Sequence, residues 1–227
     1  MEYLSDYLWE RGDADEVNPV SVTLQQVRAG RHVFLLACVC DGKRADEQGA
    51  EASGYLTSQL VEWFHGELLE EMCGKKCLKG NWQASLFHTI GRIQGELADY
   101  KRYRAFVEQE AFWGIVLVDD EFGMFEQGDC HGYLLNRRFR REHIRRLCGE
   151  GQDAVRTLQG SVQHGIGILM CSAEYDNALT AEELALALHI HTERRQSGRM
   201  GRRLRELWSL SLERGVRGSA GAVCIGL

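Results

Sequence analysis

The chain has 227 residues, 44% of them hydrophobic and 26% charged, with a formal net charge of −6 at pH 7. That length and balance suit one globular domain over residues 1–227. The acidic balance argues against general nucleic-acid binding, which shows as a strongly basic domain. The local exceptions are RRFRREHIRR (137–146) and RRQSGRMGRRLR (194–205). Each reads first as a solvated helix face and only second as a phosphate or nucleic-acid site.

The N-terminal stretch MEYLSDYLWERGDADE has no basic start and no long apolar core, so no signal peptide is expected. No window reaches the roughly 18 apolar residues of a membrane span. The expectation is a cytoplasmic protein without a membrane partner. SVTLQQV (21–27) alternates apolar and polar residues, RAG (28–30) is a turn, and HVFLLACVC (32–40) is a continuous apolar run. This predicts a hairpin whose second strand is buried on both faces. From Gly49 the period changes. Leu60, Val61, Phe64, Leu68 and Met72 recur at threes and fours with glutamates opposite, and Leu86, Ile90, Ile93, Leu97 and Tyr100 repeat the pattern toward Glu110. Two amphipathic helices follow.

FWGIVLV (112–118), the turn DDEFG (119–123), MFEQG (124–128) and GYLL (132–135) read as an antiparallel meander. IGILMCS (166–172) reads as a buried strand. TAEELALALHIH (180–191) is a helix opened by a capping box of Thr180 and Glu183. A polar GR-rich loop (198–203) leads to a helix closed by Gly215 just past its end, and AVCIGL (222–227) is a last strand. No period links these segments, which excludes a solenoid. Strands, two helices, strands, helix and strand make an α+β order.

Of the eight cysteines, Cys38, Cys40, Cys171 and Cys224 sit in apolar strand-like runs, where cysteine behaves as a small buried hydrophobe. Cys73 and Cys77 form CGKKC with no second pair at zinc-finger spacing, so reduced thiols are expected. His189 and His191, two apart on a helix, point in different directions and make no shared metal site. Cys130 beside His131 reads as a turn rather than a thiol and its base, and Trp63, Trp82, Trp113 and Trp208 read as packing residues.

An Asp-Gly pair after a strand, as at Asp41-Gly42, is by itself a turn signal. Four segments give it a context: VCDGKRADEQGAEAS (39–53), FEQGDCHGYLLNRR (125–138), HGIGILMCSAEYDNALTAEELALAL (164–188) and RGVRGSAGAVCIGL (214–227). In this order and spacing they resemble the metal-dependent type 2C serine/threonine protein phosphatases over nearly the whole chain. The resemblance implies a four-layer αββα sandwich of two central antiparallel sheets flanked by helices. It also implies chemistry in which two Mg²⁺ or Mn²⁺ ions, roughly 4 Å apart, activate a water against a phosphoserine or phosphothreonine. Hard dications so close together need carboxylates to hold them.

By that resemblance Asp41 is the bridging aspartate and Gly42 the glycine whose carbonyl is a ligand. Three other acidic positions are lost, falling on Val20, Ala173 and Gly218, and no arginine matches the one that holds substrate phosphate. Asp129 is a further candidate acid, and Glu174 and Asp176 are candidate substitutes beside Ala173. Lys43 and Arg44 put cations beside the place of a dication and are candidate phosphate-binding groups. At about 2 kcal/mol for each missing carboxylate, three losses weaken metal binding by more than about 10⁴. The expectation is therefore a pseudophosphatase with no cofactor that binds a protein partner, a phosphoprotein or kinase. The alternative is an active or weakly active Mg²⁺- or Mn²⁺-dependent phosphatase.

Overall fold

The computed structural model describes residues 3–73, 81–103, 110–136, 144–146, 155–162, 166–187 and 199–227. The first hairpin forms where its pattern places it, as β2 (Val20–Ala29) and β3 (His32–Asp41). Gly30, with φ of +62°, supplies the left-handed residue of its tight turn. The unbroken apolar run of β3 reflects its position between β2 and β4 (Ala111–Val118), with both faces covered. β4 turns through Asp119 and Asp120 into β5 (Glu121–Gln127), so the turn is shorter than the predicted 119–123.

The meander is a correction. β6 (His131–Asn136) does not lie beside β5, whose free edge is taken by β8 (Arg156–Ser161). Instead the chain turns at Gly128-Asp129 and crosses to a second sheet, where β6 pairs with β9 (Ile166–Cys171) and β7 (Ile144–Arg146). β1 (Leu4–Glu10) is another strand that was not predicted. It pairs with the last strand, β10 (Ala220–Gly226), more than 200 positions away, so no local pattern announces it.

Among the described residues the strands make two five-stranded antiparallel sheets, ordered β1-β10-β9-β6-β7 and β2-β3-β4-β5-β8. Leu35, Ala37, Val39, Trp113, Ile115, Met170 and Val223 fill the space between them. On the outer face of the β2-β3-β4-β5-β8 sheet lie α1 (Glu47–Trp63), which continues through a π-helical turn (Phe64–Leu68) into α2 (Leu69–Cys73), and α3 (Trp82–Tyr103). Their apolar stripe, Leu56, Leu60, Phe64, Leu86, Ile90 and Ile93, meets Phe34, Leu36 and Phe125. Each such side chain taken out of water contributes about 1.5–3 kcal/mol. The predicted extension of α3 falls on 104–109, outside the described residues, and Glu110 is not helical.

The opposite face carries α4 (Ala173–Asp176), α5 (Ala181–Ala187) and α6 (Arg199–Glu213). The α5 capping box is present: Glu183 N–H donates to Thr180 Oγ1 (3.2 Å) and Thr180 N–H to Glu183 Oε2 (2.9 Å). The GR-rich segment is corrected from loop to helix. It forms the first turn of α6, where Gly201 N–H donates to Asp6 Oδ2 on β1 (2.8 Å). α6 ends as predicted, with Gly215 at φ +94°. Val216 N–H reaches Ser211 O (3.1 Å) and Gly215 N–H reaches Leu212 O (3.0 Å), closing a Schellman motif. The layers are thus helix, sheet, sheet, helix. His189, His191, Cys77, Cys148, residues 137–143 of the first arginine cluster and 194–198 of the second lie outside the described residues.

Cys38, Cys40, Cys130, Cys171 and Cys224 are buried, Cys73 is exposed, and none of the six is in a disulfide. Trp63, Trp82, Trp113 and Trp208 are core residues. Among the described residues, no helix is long and apolar enough to cross a membrane.

Candidate functional site

Asp41 is the last residue of β3 and sits between Val20 of β2 and Ala111 of β4. This position buries it, and burial raises its carboxyl above the ordinary aspartate value. The N–H and ammonium of Lys43 partly offset that effect, while Asp129 and Asp15 add to it. The chain then turns sharply. Gly42 N–H donates to Pro19 O (3.0 Å), Lys43 N–H to Asp41 Oδ1 (2.8 Å) and Arg44 N–H to Gly42 O (2.8 Å). A β-carbon on Gly42 would lie 2.0 Å from Gly49 O, so the close approach of this turn to the start of α1 requires glycine.

Lys43 adopts φ +63°, unusual for a residue with a β-carbon. It carries the side chain back over the turn, where Nζ lies 3.0 Å from Asp129 Oδ2. Burial works against the ammonium, but the Asp129 hydrogen bond and the charge of Asp41 outweigh it and raise its pKa. Arg44 instead pairs with Asp46 (2.6 Å), whose other oxygen caps α1 through Gly49 N–H (3.0 Å).

Ala173 opens α4 after Ser172, which is tied to β10 through Ser172 N–H to Gly221 O (2.9 Å) and Gly221 N–H to Ser172 Oγ (3.1 Å). The short helix is held from behind by α6. Tyr175 OH donates to Leu204 O (3.0 Å) and Ser211 OH to Tyr175 O (3.1 Å). That anchoring sends Glu174 and Asp176 in different directions. Glu174 packs on Gly218, with Cδ 3.0 Å from where a β-carbon there would be, so it occupies the space that a side chain at position 218 would need. Burial raises its carboxyl, followed by repulsion from Asp41 and Asp15.

Asp176 is turned to β6, where its carboxylate holds His131 Nδ1 (2.8 Å) and accepts from Tyr133 OH. Val20, apolar and buried, belongs to the core between the sheets.

One acid escaped the sequence reading. Asp15 accepts from Ser219 N–H and Ser219 OH (both 2.6 Å), and Gly12 N–H donates to Ser219 Oγ (3.2 Å). The loop after β1 thus clasps the segment before β10 and adds its carboxylate to the field around Asp41. The 204 positions between the partners left no local signal, although GDADEV displayed the acids themselves.

Asp15, Asp41, Asp129 and Glu174 therefore act electrostatically on one neighbourhood, with the Lys43 ammonium inside it. Two hard dications need open oxygen ligands on several sides. Here Asp41 Oδ1 and Gly42 O each already accept from a main-chain N–H group, and a lysine supplies positive charge. Among the described residues, no three His, Cys, Asp or Glu side chains are grouped so as to hold a metal ion. Among the described residues, the surroundings of Asp41 thus pair carboxylates with an ammonium and do not present the grouped, open oxygen ligands that two dications need.

The four layers and the Asp-Gly turn at the end of a central strand give the chain the fold of the bacterial serine/threonine phosphatases, so the resemblance to the type 2C enzymes holds at the level of fold. No family model and no curated protein matches the sequence. Among solved structures, the chain is similar to the phosphatase PstP/Ppp of Mycobacterium tuberculosis at 16% identity, with TM-score 0.71 over 100% of this chain and 99% of that one. It is similar to Stp1 of Staphylococcus aureus at 12% identity, with TM-score 0.72 over 100% and 96%. For PppA of Pseudomonas aeruginosa, a regulatory component of its type VI secretion system, the values are 15% and 0.66 over 100% and 98%. One structure of the PstP catalytic domain, at TM-score 0.69, contains two manganese ions.

Proposed function

We propose that this chain is a pseudophosphatase, a phosphatase fold that serves as a noncatalytic, regulatory binding module for a protein partner, a phosphoprotein or a kinase. The observation that carries this reading is Lys43, whose ammonium lies 3.0 Å from Asp129 and adds its charge to the field of Asp41. A fixed monocation balances part of the acidic cluster and repels a dication entering it. It has no open coordination position on which to activate water. Isothermal titration with Mn²⁺, run beside hydrolysis of an aryl phosphate, tests the reading. Saturable binding is expected only above about 1 mM. Micromolar binding together with turnover lost in Asp41→Ala would reverse the assignment.

The phosphoprotein form of the proposal uses the same cations. Lys43 and Arg44 would exchange Asp129 and Asp46 for a phosphate, whose charge of about −2 shared over three oxygens competes well for such donors. Phosphorylated and unphosphorylated versions of one peptide separate this form from phosphate-independent binding.

A second reading, a weakly active Mg²⁺- or Mn²⁺-dependent phosphatase, draws on Glu174, one residue beyond Ala173, and Asp15, in the loop after β1, whose carboxylates act on the neighbourhood of Asp41. It requires that Lys43 leave Asp129. Turnover abolished by both Asp41→Ala and Glu174→Gln supports this reading.

A further inference from the structure

β1 and β2 are edge strands of different sheets, and they lie side by side. Between them runs an open groove of about 390 Å³, lined by Tyr7, Trp9, Ser21, Val22, Leu24 and Thr57 among others. Tyr7 and Trp9 are 53% and 54% exposed, which leaves two aromatic faces in solvent along one wall. The opposite wall is α1, packed over the outer face of β2 and hydrogen-bonded to it through Ser21 Oγ and Ser53 Oγ (2.9 Å). None of the lining residues is charged.

The floor of the groove is the main chain of β2. Gly42 N–H donates to Pro19 O (3.0 Å), which places the odd-numbered residues of β2 in the hydrogen-bonded pairs of the ladder with β3. The N–H and C=O groups of Val20, Val22 and Leu24 therefore point away from β3. At Val20 both are satisfied within the chain, the N–H by Asn18 Oδ1 (2.9 Å) and the carbonyl by Trp9 Nε1 (2.6 Å). The N–H of Tyr7 on β1 is likewise taken, by Asp6 Oδ1 (2.9 Å). Among the described residues, the outward groups of Val22 and Leu24 have no partner. They lie two residues apart, about 6.8 Å in a strand, the repeat at which an incoming strand presents its own donors and acceptors.

We propose that this groove binds an extended, uncharged segment of a protein partner, which adds to the edge of β2 as a further strand. Its main chain pairs with Val22 and Leu24, and Trp9 marks the end of the ladder by already occupying the Val20 carbonyl. Alternate side chains of the segment lie against Tyr7 and Trp9 on one side and Thr57 and Ser21 on the other, the division that strand addition uses for specificity. The uncharged lining sets the chemistry of the segment, because a charge buried there would lose its water without gaining a partner. From Val20 to Val27 the edge also lacks the charged side chains that commonly guard exposed strands, Arg28 standing at its far end, and its one proline precedes Val20. The proposal is independent of whether the Asp41 site hydrolyses phosphate.

The test uses the full chain and fluorescein-labelled seven-residue peptides alternating Thr with Val, Leu, Ile or Phe, read by fluorescence anisotropy. Saturable binding of at least one is expected, with affinity reduced at least tenfold when its ladder amides are N-methylated. Val22→Pro or Leu24→Pro removes one outward N–H at an edge position that tolerates proline, and should cause a similar loss. Trp9→Ala should weaken binding while leaving the strand intact. Equal binding of N-methylated and unmodified peptides overturns the proposal even if neither proline variant folds. So does binding by none of the peptides, or a dimer in sedimentation that Val22→Pro dissolves, since the occupant would then be a second copy.

Discussion

The ammonium of Lys43 lies 3.0 Å from Asp129 Oδ2, across the turn that connects the two sheets, and its own N–H donates to Asp41 Oδ1 at 2.8 Å. One residue thus engages both acids, once with its side chain and once with its main chain. Lys43→Ala removes the cation and leaves the carboxylates. It should raise Mn²⁺ affinity at least about tenfold, roughly 1.4 kcal/mol. Calorimetric titrations of the two proteins make the comparison, and identical isotherms would show that the ammonium does not oppose metal.

The second acid of α4 has a structural task. Asp176 holds His131 Nδ1 (2.8 Å) and the hydroxyl of Tyr133, fastening α4 to β6 from a buried position. Asp176→Ala leaves His131 and Tyr133 without that acceptor and should cost about 3 kcal/mol. Urea denaturation would show a lower midpoint with an unchanged slope. A shift under about 0.5 kcal/mol, ordinary for surface substitutions, would mean that the network is dispensable.

Glu183 gives the protein an acid-labile contact. Arg214, donating to both its oxygens (2.8 and 2.5 Å), with Thr180 adding to the effect, holds its carboxyl down to about 2. A carboxylate with a depressed folded-state pKa contributes stability that is fully present above its unfolded value and is lost as pH falls through the folded one. The melting temperature should therefore decline between about pH 4.5 and pH 2 through this pair. The decline should be shallower in Arg214→Ala. Parallel pH profiles for the two proteins would remove Arg214 from the explanation.

Thiol accessibility is equally specific. Burial pushes the Cys224 thiol up to about 12 and those of Cys38, Cys40 and Cys130 well above the ordinary range, whereas Cys73 is exposed. Brief iodoacetamide treatment of the folded protein, followed by peptide mass spectrometry, should label Cys73 and spare Cys38, Cys40, Cys130, Cys171 and Cys224. Rapid labelling of Cys38 or Cys40 would contradict the burial of β3.

Much of the fold was legible because it is written locally. The apolar run of β3, the three-four spacing in α1 and α3, the Thr180–Glu183 box and Gly215 each depend on neighbours within a few positions. β1 was missed because its partner is β10, and the first turn of α6 because its arginines and glycines resemble a loop until Asp6 binds Gly201 N–H. The meander failed for a related reason. Alternation identifies a strand but not its sheet, and β8, more than 20 residues further on, takes the edge of β5.

At the candidate site, that Val20, Ala173 and Gly218 carry no carboxylate is plain from the chain, while their standing at metal-ligand positions is what the resemblance implies. Residue chemistry is a property of the chain alone, so the order of the four segments and the residue types in them needed only the sequence. Direction and proximity are not. That Glu174 turns to Gly218 while Asp176 turns to His131, that Asp15 arrives beside Ser219, and that Lys43 folds back onto Asp129 depend on contacts spanning 44 to 204 positions. Only packing brings such groups within range, because the Coulomb and hydrogen-bond terms that define a site fall off within a few ångströms, whatever the separation along the chain.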